Sequence, residues 1–591
     1  MWPWYPFELS FDGSVYHYSI TLSVISLIER RRRKRGGYKM RQESQRLKLE
    51  EFTKRIGYTS ILEIICICIF PFIIQWLKLL TCIQFKFTLN YQLYTLVLID
   101  YFIIFIPMLL ILTFFSSYIN LIVISCYLIC LLWTILPNIH RYHYVYNLNN
   151  LSLNNLIIYS RSTIYIISCI MIYCIDLPIC PRRFAKSEVY GIGLMDIGTG
   201  LFIVASSISN CKIIWSMSID YNNNGKEFFP CLLYSLLPCL GLGVIRTLFI
   251  QLFNYCQNIT EYGIYWNFFY TLTIIRGFSL LFTTKNSLSN YILNLSIKKQ
   301  LLFYLILSCI CLLLSEYLPI VIYPKYFQLK WQFNSTSLLY IEENRVHSIW
   351  MANFEGIQSI FGYASIYFCS IAIFTLTRIY LLVNDHHHHH HHNNNNNNNN
   401  NSNNNNKEKI VKGNYFSPLI SLLNHLFLFY CLIIFIGFIC IHLLGGYSMI
   451  SRRFANINYI LFIIIITLIC ILIPLSIFSL LIKFQSNFFF HSNYSLFCLI
   501  IDKKGMLYFL ISNIFTGFLN ILRLNALNFL PDQEVNNFNF LTGTYDNLTW
   551  YSSLLQFLIL FLYTTLSIVC VVIVYHLCKS SSRNELNNHL K

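Results

Sequence analysis

Runs of about twenty apolar residues recur along the chain between short polar stretches, and each is long enough to cross the hydrocarbon core of a bilayer as a helix. They lie near 60–80, 92–113, 115–137, 162–180, 191–209, 229–251, 264–283, 299–323, 357–383, 418–445, 455–482, 505–524 and 552–577. The apolar–polar alternation of an outer-membrane barrel is missing. The pattern therefore predicts an all-α, polytopic integral membrane protein with about thirteen transmembrane helices. It divides into a hydrophilic extension (1–56), nine spans (57–383), a His/Asn-rich loop (384–414), four more spans (415–578) and a tail (579–591).

Composition agrees with this reading. Of 591 residues, 56% are hydrophobic and 11% charged, against about 25% charged in a soluble protein. The 49 Phe and 42 Tyr suit the two water–bilayer boundaries, although an AT-rich coding bias would inflate the same residues. A net charge of +17 could suggest nucleic acid, but the cations sit in short loops between apolar runs, as anchors of membrane loops do. No nucleic-acid partner is expected; membrane lipids are. The 21 cysteines lie mostly inside apolar runs, Cys66, Cys68, Cys309 and Cys311 among them, without zinc-finger spacing. No metal site or disulfide framework is expected.

An odd number of spans sorts the loops into two sets. One carries Lys78 and Lys86, Arg141 and Arg161, Lys212 and Lys226, Lys285, Lys298 and Lys299, Lys407 to Lys412, Lys483, Lys503 and Lys504, and the tail. The other holds 181–190, 252–263, 324–356, 446–454 and 525–551, with fewer cations held mostly in compact motifs. The positive-inside rule makes the first set cytoplasmic and the second lumenal. The basic run Arg31 to Arg35 argues the other way. One expectation is that residues 1–39 are a gene-model extension and translation starts at Met40. The His386 to His392 run and the Asn tract after it read as a disordered low-complexity insertion in a loop, where length costs little; poly-His could also bind metal.

Charged groups at membrane depth are expensive, so each is a functional candidate. They are densest in Asp176-Leu-Pro-Ile-Cys-Pro-Arg-Arg-Phe-Ala-Lys186-Ser-Glu188-Val-Tyr-Gly-Ile-Gly-Leu-Met-Asp196. Pro178 and Pro181 end the preceding helix, and a hairpin here would bring Asp176, Lys186 and Asp196 to one pocket at the membrane boundary. A carboxylate desolvated there could act as a general base, a lysine beside it could hold that base or an oxyanion, and Arg182 and Arg183 suit a phosphate. The same cations could instead anchor a helix end and pair with Glu188. Gly191 with Gly198, and Gly193 with Gly200, recur at seven residues and predict a face for close helix packing.

Further clusters share the same predicted side: Thr260-Glu261-Tyr262-Gly-Ile-Tyr265-Trp266-Asn267, Ala352-Asn353-Phe-Glu355-Gly356 and Ser451-Arg452-Arg453-Phe-Ala455-Asn456. Ser512, Asn513, Thr516, Gly517 and Asn520 follow on or near the next helix. Arg246, inside an apolar run, needs a partner or a cavity.

These segments resemble the PIG-W-type inositol acyltransferases. That family reads approximately D-x-P-x-x-P-R-R-F-A-K-x-E-x-Y-G-x-x-x-M-D, which Asp176 to Asp196 fits throughout. T-E-Y-G-V-H-W-N-F-F-F is matched at Thr260 to Tyr270, A-N-x-E-G-I at 352–357, S-R-R-x-A-N at 451–456 and S-N-x-x-T-G-x-x-N at 512–520. The order is right, from about Gly57 to the last span. The family's usual His is Tyr265 here, which argues against an indispensable imidazole at that position.

The resemblance implies transfer of a long-chain acyl group, palmitoyl, from acyl-CoA as co-substrate to the inositol 2-hydroxyl of glucosaminyl-phosphatidylinositol in the endoplasmic reticulum membrane, with no permanently bound cofactor. The implied roles are Asp176 as base and Lys186 as its electrostatic partner. Arg182 and Arg183 would hold phosphates, with Glu188, Asp196, Arg246, Glu261, Asn267, Asn353, Glu355, Arg452, Arg453 and Asn513 as pocket polars. A lipid or small-molecule transporter, or a non-catalytic subunit of the same pathway, would share the polar residues without needing acyl-CoA.

Overall fold

The computed structural model describes residues 59–85, 93–135, 153–219, 226–253, 261–322, 347–394, 404–484, 495–522 and 550–589, with a few single positions and residue pairs between these ranges. All belong to one compact unit, Thr53–Lys591. The basic run 31–35, the Met40 start and the Asn tract 395–403 lie outside the described residues.

Helices make up nearly all of it: α1 (Ile61–Phe85), α2 (Leu93–Leu112), α3 (Ile119–Ile135), α4 (Leu153–Cys174), α5 (Leu194–Ile219), α6 (Phe228–Phe253), α7 (Phe268–Thr283), α8 (Ser287–Asn294), α9 (Ile297–Ile322), α10 (Ile349–Ala352), α11 (Phe354–Asn394), α12 (Asn404–Leu443), α13 (Ile457–Phe484), α14 (Leu496–Ile521) and α15 (Trp550–His589). Among the described residues, strands are limited to two two-residue pairs, Lys226–Glu227 with Thr284–Lys285 and Phe538–Asn539 with Thr544–Tyr545. The all-α, polytopic expectation holds. Each of the thirteen apolar runs falls largely on a helix, the shortest being the 16 residues of α7. Nine helices are long and apolar enough to cross a membrane among the described residues, and Val97–Leu112, Ile158–Cys174 and Phe268–Thr283 are shorter apolar helices. The run at 505–524 lies in α14, which begins with Asp502, Lys503 and Lys504 in its second turn. Thirteen crossings therefore stays an expectation. The flanks of the expected disordered loop are helical, because α11 runs to Asn394 and α12 starts at Asn404; extending an existing helix needs no new nucleus.

Burial separates inner from outer helices. In α11, 83% of the membrane-crossing window is buried, against 11% in α6. The inner set is α1, α4, α5, α11 and α13, while α6 packs on α7, α9 on α11 and α12 on α13. Lipid is as apolar as leucine, so close backbone approach and interhelical hydrogen bonds hold such a bundle. Gly200 of α5 lies against Ile463 and Tyr459 of α13, and Gly505 of α14 against the Tyr165 ring of α4. Ser308 meets Ser365 across α9 and α11, Asn210 donates to the Tyr367 hydroxyl across α5 and α11, and Thr377 bonds Tyr430 across α11 and α12.

The predicted glycine face is only half present. Gly198 and Gly200 are in α5, but Gly191 and Gly193 precede it in the turn. Gly191 has φ +99°, and a Cβ on Gly193 would lie 2.2 Å from the Ala185 carbonyl oxygen. The turn needs them small; the heptad spacing is incidental.

Candidate functional site

All five motif segments converge at one end of the helix bundle. The Ile175–Gly193 turn, between α4 and α5, is folded by local bonds. Cys180 N–H donates to the Leu177 carbonyl and Ala185 N–H to the Arg182 carbonyl. The Asp196 carboxylate, fully buried, accepts from the backbone N–H groups of Ser187 and Gly193, which closes the turn over the start of α5. A carboxylate is also favoured there by the helix N-terminus.

Arg452 joins this turn to the loop before α13. Its Nε donates to Asp196 Oδ1 at 2.9 Å, and its Nη2 lies 3.8 Å from Glu261. Glu261 in turn takes the Lys186 ammonium at 2.9 Å. The result is a chain of alternating charge, Lys186–Glu261–Arg452–Asp196, that ties three sequence motifs together. Burial alone would raise the Glu261 pKa, but the charges of Lys186, Arg452 and Arg246 outweigh it and pull the carboxyl down to about 2. The Tyr262 ring lies 5.9 Å from the Arg452 guanidinium carbon, and burial pushes its hydroxyl pKa up.

The third motif enters through backbone and carboxylate. Asn353 Oδ1 accepts from the N–H groups of Tyr265 and Trp266, and Ile264 N–H donates to the Ala352 carbonyl. Gly263, at φ +118°, passes so close that a Cβ would lie 2.5 Å from that carbonyl oxygen, so the tight approach requires glycine. Glu355, fully buried, is clasped by Arg453 (2.6 Å) and by Arg345. Asn267 caps α7 by accepting from Phe269 and Tyr270 N–H and donates to the Gly243 carbonyl of α6. Asn267, Asn353, Glu355 and Arg453 thus hold the loops in register.

Asp176 lies just past the end of α4, at the start of the turn that carries Lys186. Asn520 of α14 donates to its Oδ2 at 2.9 Å. Burial raises its pKa above the ordinary carboxylate value, against the opposing pull of Asn520, Arg182 and Lys186. Lys186 therefore acts on Asp176 through space while its bond goes to Glu261. A half-buried carboxyl kept basic, within the field of a partly exposed lysine, can serve as a general base.

The two adjacent arginines turn inward. Arg182 is fully buried and donates to the Ile175 carbonyl. Arg183 grips Glu63 of α1 with Nε and Nη2 (3.1 and 2.8 Å) and the Ser116 carbonyl at 2.9 Å. The open phosphate cradle expected of them is not formed, because the Ile175 carbonyl takes Arg182 while α1 and the 113–118 turn supply partners for Arg183. Asn513 stays out of the network, donating to the Phe509 carbonyl one turn earlier in α14. Glu188 and Arg246 are exposed.

Sequence reasoning missed Glu63, Arg345 and Glu316. Glu63 and Arg345 complete buried arginine–carboxylate clusters, and Glu316 accepts from Ile457 N–H at 2.6 Å, holding the start of α13 below Arg452 and Arg453. Glu63 and Glu316 are charges inside apolar runs, the signal that singled out Arg246, whereas Arg345 lies in a polar loop that carries no such signal.

At the opposite ends of the same helices a cavity of about 330 Å³ opens between α4, α5, α6, α7 and α14. Its rim carries Arg161, Arg276 and Lys503 with Asp502, which Arg161 and Lys212 hold. These rim charges and the motif loops thus occupy opposite ends of the bundle.

A family model described as GWT1 matches residues 45–529, well over half of the chain. Among curated relatives, the chain is 27% identical over 380 residues to GPI-anchored wall transfer protein 1 of Candida albicans, covering 62% of this chain and 68% of that protein. It is 31% identical over 252 residues to the mouse Glucosaminyl-phosphatidylinositol-acyltransferase PIGW, covering 39% and 48%, and 37% identical over 110 residues to the human one, covering 18% and 21%. The resemblance carried by the five motifs is the same one, and the chain belongs to the GWT1 family.

Proposed function

We propose that this protein transfers a long-chain acyl group, palmitoyl, from acyl-CoA to the inositol 2-hydroxyl of glucosaminyl-phosphatidylinositol. The reaction would take place in the endoplasmic reticulum membrane, with the motif loops lumenal. The observation that carries the reading is Asp176, desolvated yet reachable, with Asn520, Arg182 and Lys186 around it. The names of the mammalian relatives supply the substrate.

In this scheme Asp176 accepts the proton of the attacking hydroxyl as its oxygen bonds to the thioester carbonyl carbon. Lys186, about 38% exposed, faces the developing oxyanion. Collapse breaks the C–S bond, and the proton held by Asp176 passes to the departing thiolate. No Ser or Cys beside a His occurs in the motifs, so direct transfer is preferred to an acyl-enzyme. The basic-rimmed cavity suits the phosphate-rich head of acyl-CoA. Phe202 lines this cavity, and its ring meets Phe268 (6.0 Å), the residue after Asn267.

The test is complementation. Cells unable to acylate inositol in GPI precursors should regain inositol-acylated precursors, seen by mass spectrometry, when they express this chain. Full membrane expression without that product refutes the reading.

A further inference from the structure

The acceptor is a phospholipid, so its phosphodiester has to meet a cation that lipid can reach. Among the described residues, most cations at the motif end are closed off. Arg182, Arg183, Arg345, Arg452 and Arg453 are buried and engaged by carboxylates or backbone. Lys186 is partly exposed but is bonded to Glu261.

Arg246 differs from all of these. It lies inside the apolar window Leu233–Leu252 of α6, the most outward-facing of the crossing helices. Its neighbours Val244, Ile245 and Leu248 are 43%, 63% and 50% exposed, so this face of α6 meets lipid. Arg246 is itself exposed, and among the described residues no carboxylate reaches it within 4 Å. A guanidinium on an apolar face near a helix end is stabilised by an anion at the membrane boundary. Arg246 is also beside the seam between α6 and the second motif: Thr247 donates to the Tyr265 carbonyl and accepts from Asn267 Nδ2, and the Arg246 charge is felt by both Glu261 and Tyr262.

We infer that Arg246 is the docking point for the phosphodiester of the inositol phospholipid as it enters the site sideways from the bilayer. The inference rests on the proposed acyl transfer. Guanidinium and phosphodiester match in a bidentate pair, and the inositol ring would then lie towards Lys186 and Asp176. Bulk anionic lipid offers the same chemistry, so the experiment separates the two.

The full-length protein is reconstituted in phosphatidylcholine vesicles containing glucosaminyl-phosphatidylinositol, with and without phosphatidylserine, and supplied with labelled acyl-CoA. Arg246→Gln should raise KM for the phospholipid about tenfold, the loss of a hydrogen bond to a charged group, while KM for acyl-CoA stays put. Arg246→Lys, which keeps the charge and loses the fork, should fall between. An unchanged phospholipid KM in the Gln variant overturns the inference, as does an equal rise for both substrates. An effect present only with phosphatidylserine also overturns it and assigns Arg246 to bulk lipid. Should Arg246→Gln not fold, Arg246→Lys with a wild-type phospholipid KM overturns it too. A wild-type protein with no transfer at all would refute the proposed activity instead.

Discussion

Cutting the Arg452–Asp196 pair should cost more than either partner's contacts suggest, and the two single changes should not add. Both side chains are at most 3% exposed, and removing one partner of a buried pair costs about 3–5 kcal/mol. Arg452→Met leaves Asp196 two backbone donors, Ser187 and Gly193 N–H, so its cost should be near the lower figure, about 3 kcal/mol. Asp196→Asn leaves Arg452 with Glu261 at 3.8 Å and turns an amide against those donors, which points to about 5 kcal/mol. The double variant removes both charges at once and should cost about 5–6 kcal/mol, a coupling of about 2–3 kcal/mol. Equilibrium unfolding of the four proteins in mixed micelles, followed by tryptophan fluorescence, measures the cycle. Additivity within about 0.5 kcal/mol would refute the claim that this pair ties the first motif to the loop before α13.

Other consequences follow from the same geometry. Asn520→Ala removes a bond that favours ionised Asp176, so the acidic limb of the pH–rate profile should move to higher pH; an unmoved limb separates Asn520 from the base. Glu261 sits at about 2 when folded, below its ordinary 4.5. Its contribution to stability is therefore complete above that ordinary value and is lost as pH falls towards 2. Glu261→Gln should flatten the pH dependence of thermal unfolding in that window, and an unchanged slope counts against the charge chain. Gly193→Ala would force a Cβ to 2.2 Å from a backbone oxygen and should lower both yield and thermal midpoint.

What could be read from the chain and what could not divide along physical lines. Spans were legible because crossing a bilayer demands length and apolarity, properties of contiguous residues; the weak case is α14, where Asp502 to Lys504 dilute the signal. The gathering of the motifs was legible from loop parity. Partner choice was not. Arg183 and Glu63 are 120 residues apart, and Arg452 and Asp196 are 256 apart. Nothing local says that Arg183 closes on α1 rather than opening towards a phosphate, or that Lys186 bonds Glu261 while only its field reaches Asp176. Gly191 and Gly193 matched a helical spacing by coincidence, since the helix starts at Leu194.

The most direct test is transfer by purified protein, with labelled acyl-CoA and glucosaminyl-phosphatidylinositol, comparing wild type with Asp176→Asn. The isosteric amide keeps the fold but cannot take the proton, so a loss of about 10²–10⁴-fold in rate is expected, with acyl-CoA binding retained. A folded Asp176→Asn protein that acylates inositol at the wild-type rate would contradict the account at its centre.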